Sequence, residues 1–146
     1  MGTLVRRFIL AGVPGSALAL IPWPARACTC EIYGDGGPRS RMHHATAVFV
    51  GEVLEVREAT KSERGEYSNA FIVRMRVERY WKGIKSSEIN VETDMTGCGP
   101  YFRIAEKFLV YGMEKRLDTG CSGTRKLEDA EKDLEALGPG KVFKRK

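Results

Sequence analysis

The chain has 146 residues, 42% of them hydrophobic and 29% charged, with 16 Gly, 6 Pro and 4 Cys. That is about one domain's length, and the composition excludes collagen-like, low-complexity and wholly disordered proteins. The formal net charge of +5 changes meaning once the N-terminus is read.

Residues 1–27 are organised as a secretory signal peptide. Arg6 and Arg7 form a positive n-region, Phe8–Ile21 an apolar h-region, and Ala25-Arg26-Ala27 the small-x-small pattern before a cleavage point. The apolar run is 14 residues long, short of the ~20 that a membrane span needs. Cleavage after Ala27 is therefore expected, with release into an extracellular or periplasmic space. The three arginines lost with the leader leave a mature chain near +2, too balanced for strong attraction to nucleic acid or an anionic membrane. Nothing after Ile21 approaches a membrane span, so a soluble monomer is expected. The remaining basic excess gathers in 139–146, which reads as a solvated tail.

All four cysteines follow the cut, at positions 28, 30, 98 and 121. An even count in a small exported chain indicates a disulfide framework. A direct Cys28–Cys30 bond would close a very small strained ring, so each N-terminal cysteine is expected to reach a distant partner. Spacing does not choose which. Either choice clamps the mature N-terminus to the body of the domain.

Glu31–Arg41, with Gly34, Gly36, Gly37 and Pro38, reads as loop, followed by a short helical piece over about Ser40–Thr46. Ala47–Glu58 has the β-branched content of a strand, with Gly51 as a bulge point. Ala59–Ser68 is a polar hairpin loop. In the next strand Phe71, Val73, Met75 and Val77 alternate with Ile72, Arg74, Arg76 and Glu78, and Tyr80–Gly83 end it. Glu88–Thr93 and Lys107–Tyr111 are further strands. Leu127, Ala130, Leu134 and Leu137 then fall on one helical stripe, stopped by Gly138 and Pro139. Strands first and a helix last give a mainly β domain, a closed or partly open barrel with flanking helices.

No Gly-x-Ser-x-Gly, P-loop or His-Glu-x-x-His is present, so no enzyme activity and no cofactor are expected. Met42, His43 and His44 suggest copper, but neighbouring side chains on a helix point in different directions. Cys28-Thr29-Cys30 as a metal or redox dithiol lacks a second cysteine pair. Arg74, Arg76, Arg79, Tyr80, Trp81 and Lys82 would suit single-stranded nucleic acid, against which the near-neutral charge of an exported chain speaks.

A signal peptide ending directly before Cys28-Thr29-Cys30 is joined by Cys98-Gly99, 70 residues after the first cysteine. Phe102 and Lys107–Gly112 (KFLVYG) follow, and Cys121 leads into the helical stripe of Thr124–Gly138. In combination these features resemble the netrin-like domain, and within it the N-terminal inhibitory domain of the tissue inhibitors of metalloproteinases, over most of Cys28–Gly138. The resemblance implies a five-stranded, OB-fold-like Greek-key barrel with one short helix near the mature N-terminus and one at the C-terminus. It implies bridges Cys28–Cys98 and Cys30–Cys121. It also implies that the freed amine and the carbonyl of Cys28 chelate the catalytic zinc of a partner metalloprotease. Thr29 would then sit over the primary specificity pocket, with Thr96, Gly97, Cys98 and Gly99 beside the wedge. Two other readings stay open: a netrin-like binding module for a secreted or surface partner, and a thiol-redox or copper-handling protein.

Overall fold

The computed structural model describes residue 30 and residues 36–64, 70–94 and 98–143. Five antiparallel strands form one sheet: β1 (Ala47–Glu58), β2 (Phe71–Lys82), β3 (Glu88–Thr93), β4 (Lys107–Gly112) and β5 (Arg125–Lys126), in the order β3-β2-β1-β4-β5. Two helices flank it, α1 (Pro38–His44) and α2 (Glu131–Leu137).

The long apolar runs of β1 and β4 arise because both of their faces are covered. Ala47, Phe49 and Val53 of β1, with Phe108 and Val110 of β4, point into the sheet's interior beside Val73, Met75 and Val91. Their alternates Val48, Val50, Leu109 and Tyr111 point outward beneath Ala130, Leu134 and Leu137. Alternation of side chains along a strand thus builds two cores, and a strand buried on both faces reads as continuous hydrophobe. β2 lies outside the helix layer over most of its length, so it keeps the plain pattern: Val73, Met75 and Val77 are buried while Arg74 and Arg76 are exposed. These arginines are spanned by acids across the sheet, Arg74 to Glu55 and to Glu88 at 3.2 Å each and Arg76 to Glu52 at 3.6 Å.

β1 bends to serve both partners. Its register with β2 shifts at three places, one of them between Val50 and Gly51, as expected of the bulge. A Cβ on Gly51 would lie 3.0 Å from the Phe49 ring and 3.2 Å from the Arg76 carbonyl.

The sheet closes on itself through the segment between β4 and β5. Met113 and Asp118 exchange backbone hydrogen bonds of 2.8 and 2.9 Å, which turns the chain tightly with Glu114 and Leu117 at positive φ. Leu117 plugs the inner core, and its Cβ is 2.8 Å from where a Cβ on Gly112 would stand. Asp118 then bridges Glu92 of β3 in parallel: the Glu92 N–H donates to the Leu117 carbonyl at 3.4 Å, and the Thr119 N–H to the Glu92 carbonyl at 3.0 Å. The Thr119 hydroxyl donates to the same carbonyl at 3.0 Å.

The predicted C-terminal helix is broken into three pieces: β5, a single 3₁₀ turn over Leu127–Asp129, and α2. The cause is Thr124, whose hydroxyl accepts the Tyr111 N–H at 2.9 Å and so starts a strand against β4. The predicted stripe survives in its packing, since Leu127, Ala130, Leu134 and Leu137 all meet the outer core. β2 ends at Lys82, within the expected Tyr80–Gly83 stop, and α1 begins earlier than expected, at Pro38, where proline suits the first helical turn. The tail also departs from expectation as far as Phe143. Lys141 and Tyr80 exchange two backbone hydrogen bonds of 2.7 and 2.8 Å, and the Phe143 ring lies 5.0 Å from that of Tyr80. A phenyl ring at the chain end gains more by packing than its basic neighbours gain from water.

The helices are fastened by Asp133, which is only 4% exposed. It accepts the Tyr111 hydroxyl at 2.9 Å and faces Arg41 of α1 at 3.4 Å and Arg125 of β5 at 3.5 Å. Burial, and then the Asp133 hydrogen bond, push the Tyr111 phenol above its ordinary range. Asp133→Ala should cost ~2–3 kcal/mol in urea denaturation, below the ~3–5 of a fully buried pair. The two arginines left behind keep 24% and 34% side-chain exposure. Tyr111→Phe should cost about 1 kcal/mol.

Candidate functional site

Cys30, Cys98 and Cys121 converge at the end of the barrel where the sheet closes. Cys30 and Cys121 are joined, with Cα atoms 5.3 Å apart across a sequence separation of 91. The Cys121 N–H donates to the Cys98 carbonyl at 3.0 Å, so three of the four cysteines meet at one point. Cys98 is itself disulfide-bonded, and no cysteine among the described residues is free. The turn that carries Cys121 is stiff. The Ser122 hydroxyl donates to the Thr119 carbonyl at 3.0 Å and shares a 2.8 Å hydrogen bond with Thr124, and the Gly120 N–H donates to Asp118 at 2.8 Å.

Gly99 has a packing reason to be glycine. A Cβ there would lie 2.9 Å from the Thr93 hydroxyl, 3.4 Å from Asp94 and 3.7 Å from the Cα of Gly120. The Cys98-Gly99 turn therefore fits against the end of β3 and the Cys121 turn only without a side chain.

A cavity of about 240 Å³ opens here, lined by Ala70, Glu92, Thr93, Asp94, Cys98, Asp118, Gly120 and Cys121. Its charge is one-sided. Burial, with Asp94 and Glu114 nearby, pushes the Asp118 carboxyl up against the pull of the Gly120 N–H. Burial likewise raises Glu92, although Arg116 stands 3.4 Å from it. The Thr93 residue is 1% exposed, and its hydroxyl has no hydrogen-bond partner among the described residues.

Beyond Cys98-Gly99 the chain presents two large apolar side chains to solvent, Tyr101 at 63% and Ile104 at 67% exposure. Between them Phe102 is buried and packs 4.5 Å from the Phe108 ring. Ala105, at φ 68°, donates to the Val53 carbonyl at 2.9 Å, which fixes the far end of this loop.

Of the residues singled out in sequence, Cys30, Cys98 and Gly99 are thus brought together. Cys28, Thr29, Thr96 and Gly97 lie outside the described residues, and with them the expected Cys28–Cys98 pairing. Cys30–Cys121 forms as expected. His43 and His44 are both exposed, and among the described residues no group of His, Cys, Asp or Glu is placed to hold a metal ion. Tyr80 and Trp81 turn toward the C-terminal segment, the Trp81 indole donating to the Gly138 carbonyl at 3.1 Å. No helix among the described residues is long and apolar enough to cross a membrane. Sequence reasoning passed over the acidic cavity; its one signal was Asp118-x-Gly120 directly before a cysteine. Compared with known proteins, the chain matches no family model and no curated protein.

Two predictions follow from packing and charge. Gly99→Ala should destabilise by ~1–3 kcal/mol, the usual cost of an inserted methyl group in a packed site, read as a lower midpoint in urea. Asp118 and Glu92 bind a proton more readily folded than unfolded, so as anions they oppose folding at neutral pH. Stability should rise as pH falls from neutral through their raised values toward the ordinary 3.8 and 4.5. Asp118→Asn keeps an acceptor for the Gly120 N–H and removes the charge. It should melt higher than wild type at pH 7, with the gap closing toward pH 4; an unchanged gap would show that Asp118 carries no such penalty.

Proposed function

We propose that the protein is an exported metalloendopeptidase inhibitor that acts through the mature N-terminus, Cys28-Thr29. The observation that supports this most directly is the Cys30–Cys121 bridge. It ties the residue two places after Cys28 to the turn that closes the barrel, and that turn is hydrogen-bonded to Cys98. A short N-terminal wedge is only effective if its shape is held before binding, because ordering it on the target would subtract from affinity.

The chemistry of such a wedge is simple. Catalytic zinc keeps one coordination position open for water or substrate. An α-amine titrates near ~7.7–8.0, so a neutral lone pair is available around physiological pH at little cost. The amine and carbonyl of one residue form a five-membered chelate that would displace the protease's water. Thr29 would follow into the specificity pocket, with Thr96, Gly97, Cys98 and Gly99 against its rim. The amine must be free, which signal-peptide cleavage after Ala27 supplies and lipidation of Cys28 would not.

The second reading, a netrin-like binding module without inhibitory activity, draws support from exposed Tyr101 and Ile104 on a pinned loop. Aromatic and aliphatic anchors of that kind serve any protein partner.

The deciding experiment is inhibition of a panel of zinc endopeptidases by the processed protein, with a form extended by one Ala before Cys28. Extension should abolish inhibition and leave both the melting temperature and the absence of free thiols unchanged. Unchanged potency would overturn the chelate, and no inhibition by a protein with a verified free amine would favour the binding module. Thr29→Gly should weaken inhibition unequally across the panel. Cys30→Ser should lower the melting temperature and the potency together, since the bridge closes a long loop worth ~2–5 kcal/mol.

A further inference from the structure

We propose that the cavity between the end of β3 and the Cys121 turn is a receptor for one basic side chain of a partner protein, an ammonium or guanidinium group. It holds three carboxylates, Glu92, Asp94 and Asp118, and no basic side chain among its described lining residues. Arg116 approaches the Glu92 carboxylate to 3.4 Å. Asp118 accepts the Gly120 N–H and makes no ion pair among the described residues. A carboxylate drawn out of water, as that of Asp118 is, needs a counter-charge with hydrogen bonds to spare, and the cavity's described walls bring no cation to it.

The second observation is independent of the acids. Thr93 is 1% exposed and lines the same cavity, and its hydroxyl has no hydrogen-bond partner among the described residues. A buried hydroxyl left unmatched costs about 1–3 kcal/mol, whereas a ligand with several N–H donors would satisfy it. An ammonium offers three donors and a guanidinium five. A metal ion suits the site less well, since no group of three donors among the described residues is placed to hold one. The volume of about 240 Å³ is several times the ~30 Å³ share of a water molecule, enough for the end of a lysine or arginine side chain. The cavity also lies between Cys98 and Cys121, against the edge assigned to the inhibitory wedge. The choice of partner, a metalloprotease with a basic residue on the rim of its cleft, rests on that assignment; the cation site does not.

The test is an NMR titration of the processed protein with butylammonium and with ethylguanidinium, butanol serving as the neutral control. Saturable shifts of the Thr93, Asp118 and Gly120 amides are expected with the cations only. Asp118→Asn, which keeps the acceptor for Gly120, should weaken the cation at least tenfold. Thr93→Val removes a hydroxyl that bonds to none of the described residues, so it should fold as well as wild type and bind the cation more weakly. No saturable shift in wild type, or undiminished binding in both variants, would overturn the site. Against an inhibited protease, Asp118→Asn should raise the inhibition constant about tenfold, as losing one interfacial charge partner does, while the Ala-extended form keeps cation binding. Inhibition without cation binding sinks this site alone. Cation binding without inhibition sinks the chelate reading and leaves the receptor standing.

Discussion

One backbone exchange holds the barrel shut. Glu92 is the point at which β3, at one edge of the sheet, meets the segment after β4, and it does so with a donor, an acceptor and a paired carboxylate. Everything at the cysteine end depends on that contact. It places Asp118 and Thr119 beside β3, which sets the Gly120-Cys121 turn against Cys98 and fixes where Cys30 can be anchored. The hydroxyls of Thr119 and Ser122, both buried, are fully used in holding this turn. Polar groups that are buried and satisfied in this way specify one arrangement, because any slip leaves several of them unmatched.

The other end of the molecule is held by different means. Asp133 joins α1, β5 and the outward face of β4 in one ionic node, and the apolar stripe of α2 covers the rest. Division of labour between the two ends follows from the strands themselves. β1 and β4 have side chains on two sides to bury, and the helices can cover only one of them. The barrel interior covers the other. The helix end is therefore occupied with stability, and the cysteine end keeps a cavity, buried carboxylates and exposed apolar residues in a loop.

Much of the fold was legible because it rests on periods. The bounds of β1 and β3 and the inward face of β2 could be read from alternation and β-branched content, as could the bulge at Gly51. The stripe Leu127–Leu137 was legible as a buried face and illegible as an element. Whether it begins as strand or helix is decided by the Thr124 hydroxyl meeting Tyr111, a contact between residues 13 apart that no local propensity encodes. The tail was illegible for a similar reason, since Phe143 looks like one aromatic in a basic run until Tyr80 is beside it. At the site, the cysteines announced themselves by number and spacing, and Gly99 by its place next to one. The acidic cavity had no such announcement. Glu92 and Asp94 are ordinary polar residues two apart in sequence, and Asp118 joins them only when the sheet closes.

The two hydrogen bonds between Lys141 and Tyr80 matter for reasons beyond their strength. β3 reaches only as far as Arg76 along one side of β2, which leaves the later part of β2 with unpaired backbone groups on that side. Such a strip is a template for any extended chain that meets it. The protein fills it with its own last residues, which add a short rung and a phenyl ring to the sheet. Cut after Gly138, the domain would retain its cores and its bridge but present a sticky margin. Its colloidal behaviour at high concentration is therefore governed by a handful of residues at the margin of the barrel, of which only Phe143 packs against the inner core.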